Sequence, residues 1–369
     1  MEKIKKIIRQ SFLYRPAKKI QNLMAKFKML KRIRETEKEG VALMPNGVIF
    51  EPTTKCNLNC QMCYQKAERA LGKRDLSLEE IKKLLKRLAD SGVKFVSMIG
   101  AEVFVRLDIF EIIEYIGSLK MKTYLATNGT LINEQNISKL IAQKNVITGI
   151  GYSLDGLKDD HNRVRGREYA YDNLVKAIEL TRDHFNLTVN TVVMEESLEQ
   201  LPAIGRLVKS WGVNNYSLQF EMFATPEEYR QSSEVLAVAP ADLAVEVKAS
   251  QDFNFSLEKL ESVLSELRQI NGLNILIQPE AFNRYPEFYL AGNLREKVGL
   301  FCKDINAMRI NAQGEIIFCP FIKKSFGDLN LENPAKLWNG QGLRELRKKL
   351  LQNNLAPICK RCCRLGVKR

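Results

Sequence analysis

Between residues 47 and 225 the chain alternates short apolar runs with longer amphipathic stretches, and this alternation restricts its fold more than any other feature. The runs at 48–51, 95–99, 123–126, 147–154, 188–194 and 216–223 are rich in β-branched and aromatic residues and read as strands. The stretches between them read as helices: Ser77 with Glu80 and Asp108 with Glu111 are spaced as capping boxes, and Gly92 is placed to stop a helix. Repeated strand-helix units give parallel strands joined by right-handed crossovers. Six units predict an α/β fold, a partial (β/α)6 TIM-like barrel over 47–225, with a doubly wound sheet as the alternative.

The residues that follow these strands are unusual. Cys56, Cys60 and Cys63 place three thiols within eight residues after the first strand. Three thiolates can hold three irons of a 4Fe-4S cluster and leave one iron without a protein ligand. Zinc prefers four tetrahedral ligands, and neither neighbouring segment offers a fourth Cys or His. Gly100-Ala101-Glu102, Thr127-Asn128-Gly129, and Ser153 with Asp155 close other strands at the edge where α/β folds bind ligands. Any one of these is an ordinary turn; their shared position at one mouth is the signal.

Eight cysteines fall into two groups, three at 56–63 and five between 302 and 363, with none in the 238 residues between. That clustering, with no signal-peptide pattern, points to metal ligation in a reducing cytoplasm rather than to a disulfide framework. No run approaches the roughly 18 apolar residues of a membrane span. Of the formal net charge of +14, residues 1–40 supply +9, from thirteen Lys or Arg against four Glu. Ile4, Ile7, Ile8 and Phe12, then Ile20, Leu23, Met24, Phe27 and Leu30, mark two basic amphipathic helices split by Pro16, an N-terminal extension over 1–46. Such a stripe packs on the main domain, or rests peripherally on an anionic membrane surface through residues 1–40. Nucleic acid is disfavoured as a partner, because aromatics do not interleave the basic runs as a single-strand binding face requires.

Residues 226–300 read as a bridging region with a helix over 256–270 and a strand over 273–277. Over 301–369 a small cluster-binding domain is expected, a hairpin plus a helix: strands around the turn Asn311-Ala312-Gln313-Gly314, a helix over 334–351, and Cys359-Lys360-Arg361-Cys362-Cys363. Cys302, Cys319, Cys359 and Cys362 can meet there. Spacing alone suits structural zinc as well as a fully ligated 4Fe-4S cluster, and Cys363 is either spare or a replacement for Cys362.

Taken together, Cys56-X3-Cys60-X2-Cys63, Gly100-Ala101-Glu102, Thr127-Asn128-Gly129 and Ser153-Leu154-Asp155-Gly156 resemble the radical S-adenosylmethionine (SAM) superfamily. The C-terminal segment, with its Gly314-X4-Cys319 step and Trp338-Asn339, is similar to SPASM/twitch auxiliary domains, closest to the single-cluster twitch form. The resemblance implies two 4Fe-4S clusters and SAM, with the methionyl amine and carboxylate of SAM on the open iron of the first cluster. It places Gly100, Ala101 and Glu102 near the amine, Met62 against the adenine, Asn128 in the adjoining turn, and Ser153 and Arg165 at the ribose and carboxylate. A low-potential donor such as flavodoxin or ferredoxin would supply the electron that cleaves SAM to methionine and a 5'-deoxyadenosyl radical, which takes hydrogen from an unidentified substrate. Two departures stand out: Val103 follows Gly-Ala-Glu where the family often has Gly-Gly-Glu-Pro, and Met62 stands where an aromatic residue is common. His161 and His184 fit no triad or zinc motif. The basic face favours a small-molecule or glycoconjugate substrate. A peptide or protein maturase of the SPASM type is the alternative, and a non-enzymatic iron-sulfur or zinc protein that binds nucleic acid the last.

Overall fold

The computed structural model describes residues 38–244, 246–248 and 256–368; the amphipathic helices expected in the N-terminal extension lie, up to residue 37, outside the described residues. All six expected strands form: β1 Gly47–Phe50, β2 Phe95–Met98, β3 Lys122–Thr127, β4 Ile147–Ser153, β5 Leu187–Val193 and β6 Asn215–Phe220. Each pairs with the next in parallel. The sheet stays open, as a partial TIM-like barrel. Strand Asn274–Gln278, in the bridging region, extends it in parallel beyond β6. At the other edge Met308–Ile310 pairs in parallel with β1 and carries the antiparallel strand Ile316–Ile317. The expected C-terminal hairpin therefore exists, but as part of the barrel's own nine-stranded sheet.

Strand alternation sorts the two faces. In β5, Leu187, Val189, Thr191 and Val193 are buried while Thr188, Asn190 and Val192 are only half-buried. The half-buried side is polar: the Tyr124 hydroxyl lies near Asn190 and Thr188. It crosses so close to β4 that a Cβ at Gly151 would lie 2.1 Å from it, so only glycine fits there.

Helix Leu78–Asp90 starts at the Ser77–Glu80 capping box and buries Ile81, Leu84, Leu85 and Leu88, one apolar stripe at i, i+3, i+4 and i+7. Such a cap contributes about 1 kcal/mol. Asp108 departs from expectation: its side chain makes no cap and instead pairs with Arg106 at 2.7 Å. A second capping box, Thr225 with Glu228, and Pro226 at the first turn begin helix Pro226–Leu236, at the start of the stretch that the sequence marked only as a bridging region. The expected helix over 334–351 divides into Pro334–Trp338 and Gln341–Gln352. At the break, Asn339 exchanges two hydrogen bonds with the backbone of Ala42, both 2.9 Å. No helix of the described residues is long and apolar enough to cross a membrane.

Where the hairpin meets the barrel, charge is buried. Glu51, just past β1, accepts from Arg309 at 2.6 Å and from Gln65 at 3.1 Å, and Lys323 stands 3.6 Å away. Burial alone would push the Glu51 carboxyl up, but Lys323 and Arg309 outweigh it and hold it below the usual range. Arg309→Met leaves that carboxylate without its closest cation. Removing one partner of a buried pair costs about 3–5 kcal/mol, so urea unfolding of this variant should show a loss of that size; a loss under about 1 kcal/mol would mean the pair holds nothing together.

Candidate active site

The loop 56–63 leaves β1 at the C-terminal mouth of the sheet. Leu58 anchors it: Leu58, Cys60 and Ala170 form a small buried apolar cluster around which Cys56, Met62 and Cys63 pack. The segment after β4 holds the loop's backbone, Asn59 N–H donating to the Arg165 carbonyl (3.3 Å) and Gln61 N–H to that of Val164 (2.9 Å). From the other side Arg69 donates to the carbonyls of Cys56 (3.3 Å) and Leu58 (3.0 Å). Asn57 reaches the Thr130 hydroxyl at 2.8 Å.

Two of the three sulfurs have donors aimed at them. Cys56 Sγ accepts from the Leu58 N–H at 3.4 Å and faces Asn128 Nδ2 at 3.9 Å; Arg165 Nη1 lies 3.6 Å from Cys60 Sγ. Burial raises the Cys56 thiol against the pull of the Leu58 N–H. A metal group would reverse that, since a coordinated thiol is deprotonated. Donors to sulfur are what a cluster's thiolates need from their surroundings, so the residues present fit such a group.

The turns beyond the other strands converge on this loop. Gly100 has φ +136°, and a Cβ there would approach the Glu51 Cα to 3.3 Å. Glu102 is buried and accepts from the Asn128 N–H (2.7 Å), the Thr127 hydroxyl (2.7 Å) and the Phe104 N–H (3.1 Å). Its own N–H donates to Lys55, so its bonding ties the first loop to the turn at 127–129. Asn128 links onward to Asn57 at 3.0 Å. Arg165 is shared between Cys60 and an ion pair with Asp155. Met62, Asn128 and Arg165 thus lie against the thiols, and Gly100 packs on the backbone of Glu51 and Thr53. Ala101 and Ser153 stand half-buried at the ends of their strands.

Sequence reasoning missed the web behind these residues. Asn57, Thr130 and His161 carry it, and His161 Nδ1 accepts from the Asp155 N–H at 3.1 Å. The only signal for it was a lone histidine six residues beyond a Ser-X-Asp-Gly turn.

The second thiol group is assembled by strand pairing. Leu300–Cys302 runs antiparallel to Leu365–Val367, setting Cys302 opposite Leu365 and beside the 359–364 turn. Buried Asp304 lies within electrostatic reach of Cys302, Cys319, Cys359 and Cys363. One of its oxygens accepts from Arg364 at 2.7 Å; the other is buried without a hydrogen-bond partner. Burial pushes Cys319 up to about 12 and Cys359 up to about 11, so thiolates there require a cation. Cys362 and Cys363 share a hydrogen bond that lowers Cys363 and raises Cys362, and both remain available as the fourth ligand. Among the described residues no three Cys, His, Asp or Glu converge on a single-ion site. A ligand set made wholly of thiols suits an iron-sulfur cluster.

Lys323 joins the two regions, paired with Glu68 and lying 5.9 Å over the Tyr64 ring. Tyr64 is within electrostatic reach of both Cys63 and Cys363.

Comparison with known proteins agrees with this geometry. The family description "Radical SAM superfamily" matches residues 50–208, and an "Iron-sulfur cluster-binding domain" of the SPASM type matches 302–363. The Bacillus subtilis antilisterial bacteriocin subtilosin biosynthesis protein AlbA is 32% identical over 47% of this chain and 39% of its own length. An AdoMet-dependent heme synthase of Methanosarcina barkeri is 30% identical over 54% of this chain and 55% of its own. The chain thus spans about half or less of these relatives' length. In fold it is similar to Streptococcus suis SuiB bound to precursor peptide SuiA, with a TM-score of 0.64 at 20% identity over 94% of this chain and 76% of that one.

His161 offers a test of the web. Burial, with the charge of Arg165 adding to it, lowers its pKa to about 3. The folded state therefore keeps it neutral, while the unfolded chain takes up a proton near pH 6.5. Stability is lost as pH falls below that value, by about 2 kcal/mol between pH 7 and pH 5. His161→Asn, which keeps an acceptor, should lose correspondingly less over that interval in urea unfolding; equal losses would show that His161 titrates normally in the folded protein.

Proposed function

The chain belongs to the radical SAM superfamily and carries a C-terminal SPASM-type iron-sulfur domain, and from this premise we propose that it cleaves SAM reductively to abstract hydrogen from a substrate. The observation that carries this is the loop of Cys56, Cys60 and Cys63 at the sheet's mouth, with Asn128 and Arg165 directed at its sulfurs. The cofactors are SAM and 4Fe-4S clusters. Cys56, Cys60 and Cys63 would hold the SAM-binding cluster, and Cys302, Cys319, Cys359 and either Cys362 or Cys363 the auxiliary one. Bound there and reduced, such a cluster would supply the electron that breaks a C–S bond of SAM to give methionine and the 5'-deoxyadenosyl radical.

The protein's own residues bind, orient and enclose. Gly100 and Ala101 leave room for the amine of SAM to approach the backbone; Met62 offers a polarisable edge to the adenine. The Ser153 hydroxyl makes no hydrogen bond among the described residues and is free to meet the ribose. Arg165, neutralised by Asp155, is held in place as a donor. Glu102 has its oxygens engaged by Phe104, Thr127 and Asn128, so its part is to fix the turn beside the ligand.

Two substrate classes have support of their own. Similarity to a bacteriocin biosynthesis protein favours a peptide; similarity to a heme synthase and the basic N-terminal residues favour an anionic small molecule or glycoconjugate. Anaerobic reconstitution with iron and sulfide should load about eight irons per chain, and dithionite with SAM should then yield 5'-deoxyadenosine. Changing Cys56, Cys60 and Cys63 together to Ala should abolish that product and leave about four irons; product persisting in the triple variant would overturn the reading.

A further inference from the structure

One side of the first cysteine loop faces outward. There Lys55, Cys56, Asn59, Lys66, Arg69 and Lys73 line an open cleft of about 420 Å³, with Thr54, Ala70 and Gly72 completing it. Four of these nine residues are cationic and none is acidic. Lys55, Lys66 and Lys73 are exposed, and among the described residues none of them pairs with a carboxylate; the Lys66 ammonium donates to the Gln61 carbonyl. Beside the cleft Leu71 is 65% exposed. The cleft wall includes Cys56, only half-buried, so an outside group seated on this face reaches the first thiol site.

We propose that this face is the docking surface for an acidic one-electron donor protein of the flavodoxin or ferredoxin type, which delivers its electron at the Cys56 edge. The inference rests on the reading of Cys56, Cys60 and Cys63 as cluster ligands. The donor is oxidised by one electron and the cluster reduced by one, and no bond is made or broken at the face. A small anion is the poorer occupant. Arg69, the one cation whose guanidinium is fixed, is committed to the carbonyls of Cys56 and Leu58, and the three lysines are mobile and spread around the rim. Lysines so arranged, with an exposed leucine among them, suit a broad acidic surface, which they would steer and orient. Electron transfer weakens steeply with distance, and an approach over this cleft keeps the path short.

The test uses the reconstituted full chain and a recombinant flavodoxin. Lys55, Lys66 and Lys73 are changed together to Glu; as a control, Lys94, Lys120 and Lys144, exposed at the opposite end of the strands, are changed together to Glu. Binding of flavodoxin by interferometry, and bleaching of the cluster's visible absorbance on mixing with photoreduced flavodoxin, are measured beside 5'-deoxyadenosine formation driven by dithionite. The cleft variant should bind flavodoxin at least about tenfold more weakly, a difference of about 1.4 kcal/mol, and bleach correspondingly more slowly, with its dithionite-driven product unchanged. Wild-type binding should weaken as salt rises. Unchanged binding and bleaching in the cleft variant, or an equal loss in the control variant, would overturn the docking face. Absence of product with dithionite in the wild type would instead overturn the underlying reading of the site.

Discussion

The architecture depends on one seam, the parallel pairing of Met308–Ile310 with β1, closed by the buried Glu51–Arg309 pair. Without it the auxiliary thiols would belong to a tail hung from the barrel. With it they are held to the same sheet whose first strand leads into Cys56. A buried ion pair rarely adds net stability over a well-packed apolar pair, because both charges must be desolvated. What this pair adds is register. A slip of one residue would turn Arg309 to the other face of the strand and leave Glu51 buried with only Lys323 and Gln65 nearby, an arrangement far costlier than the native one.

The same charges reach the first loop. Gln65 and Glu68 lie two and five residues beyond Cys63, and through Glu51 and Lys323 they bind the segment after Cys319. Tyr64 fills the space between, within electrostatic reach of a thiol from each group. The two cysteine groups, 238 residues apart in sequence, are thus connected by a short run of packed and hydrogen-bonded side chains. The connection lies on the level of packing and electrostatics. No local propensity in either segment requires it.

That difference explains what could be read from the chain and what could not. The six strands were legible because parallel strands buried on the helix face appear as apolar runs, and helix Leu78–Asp90 because its capping box and apolar stripe are local features. The two cysteine groups stood out for the same reason, since cysteine spacing is a local pattern. Asp108 misled because an aspartate three residues before a glutamate has the sequence of a cap, whereas Arg106, two residues away, takes its carboxylate in the folded chain. The attachment of the C-terminal hairpin to β1 was not legible, since nothing in Met308–Ile310 distinguishes a strand that pairs within its hairpin from one that also pairs across the molecule. The web of Asn57, Thr130, Asp155 and His161 was hidden likewise, each member being an ordinary turn or surface residue type until tertiary structure gives it a partner.

The two departures from the family pattern find physical substitutes nearby. A proline after Gly-Ala-Glu would fix the backbone by restricting φ. Here the Glu102 carboxylate accepts from the Phe104 N–H, its carbonyl accepts from the Val105 N–H, and Val103 is wholly buried, so hydrogen bonding and packing fix the turn that the ring would have fixed. Ala101 adds one methyl at a half-buried position, while the residue whose conformation admits no side chain, Gly100, is kept. Met62 packs onto Leu58, Cys60 and Ala170, and an unbranched thioether can fill that irregular wall where an aromatic ring would need a flat one. Both departures alter the means by which the loop and turn are held and leave the cysteine spacing intact, so under the proposed function they bear on the SAM contacts and not on the thiols proposed to hold the first cluster.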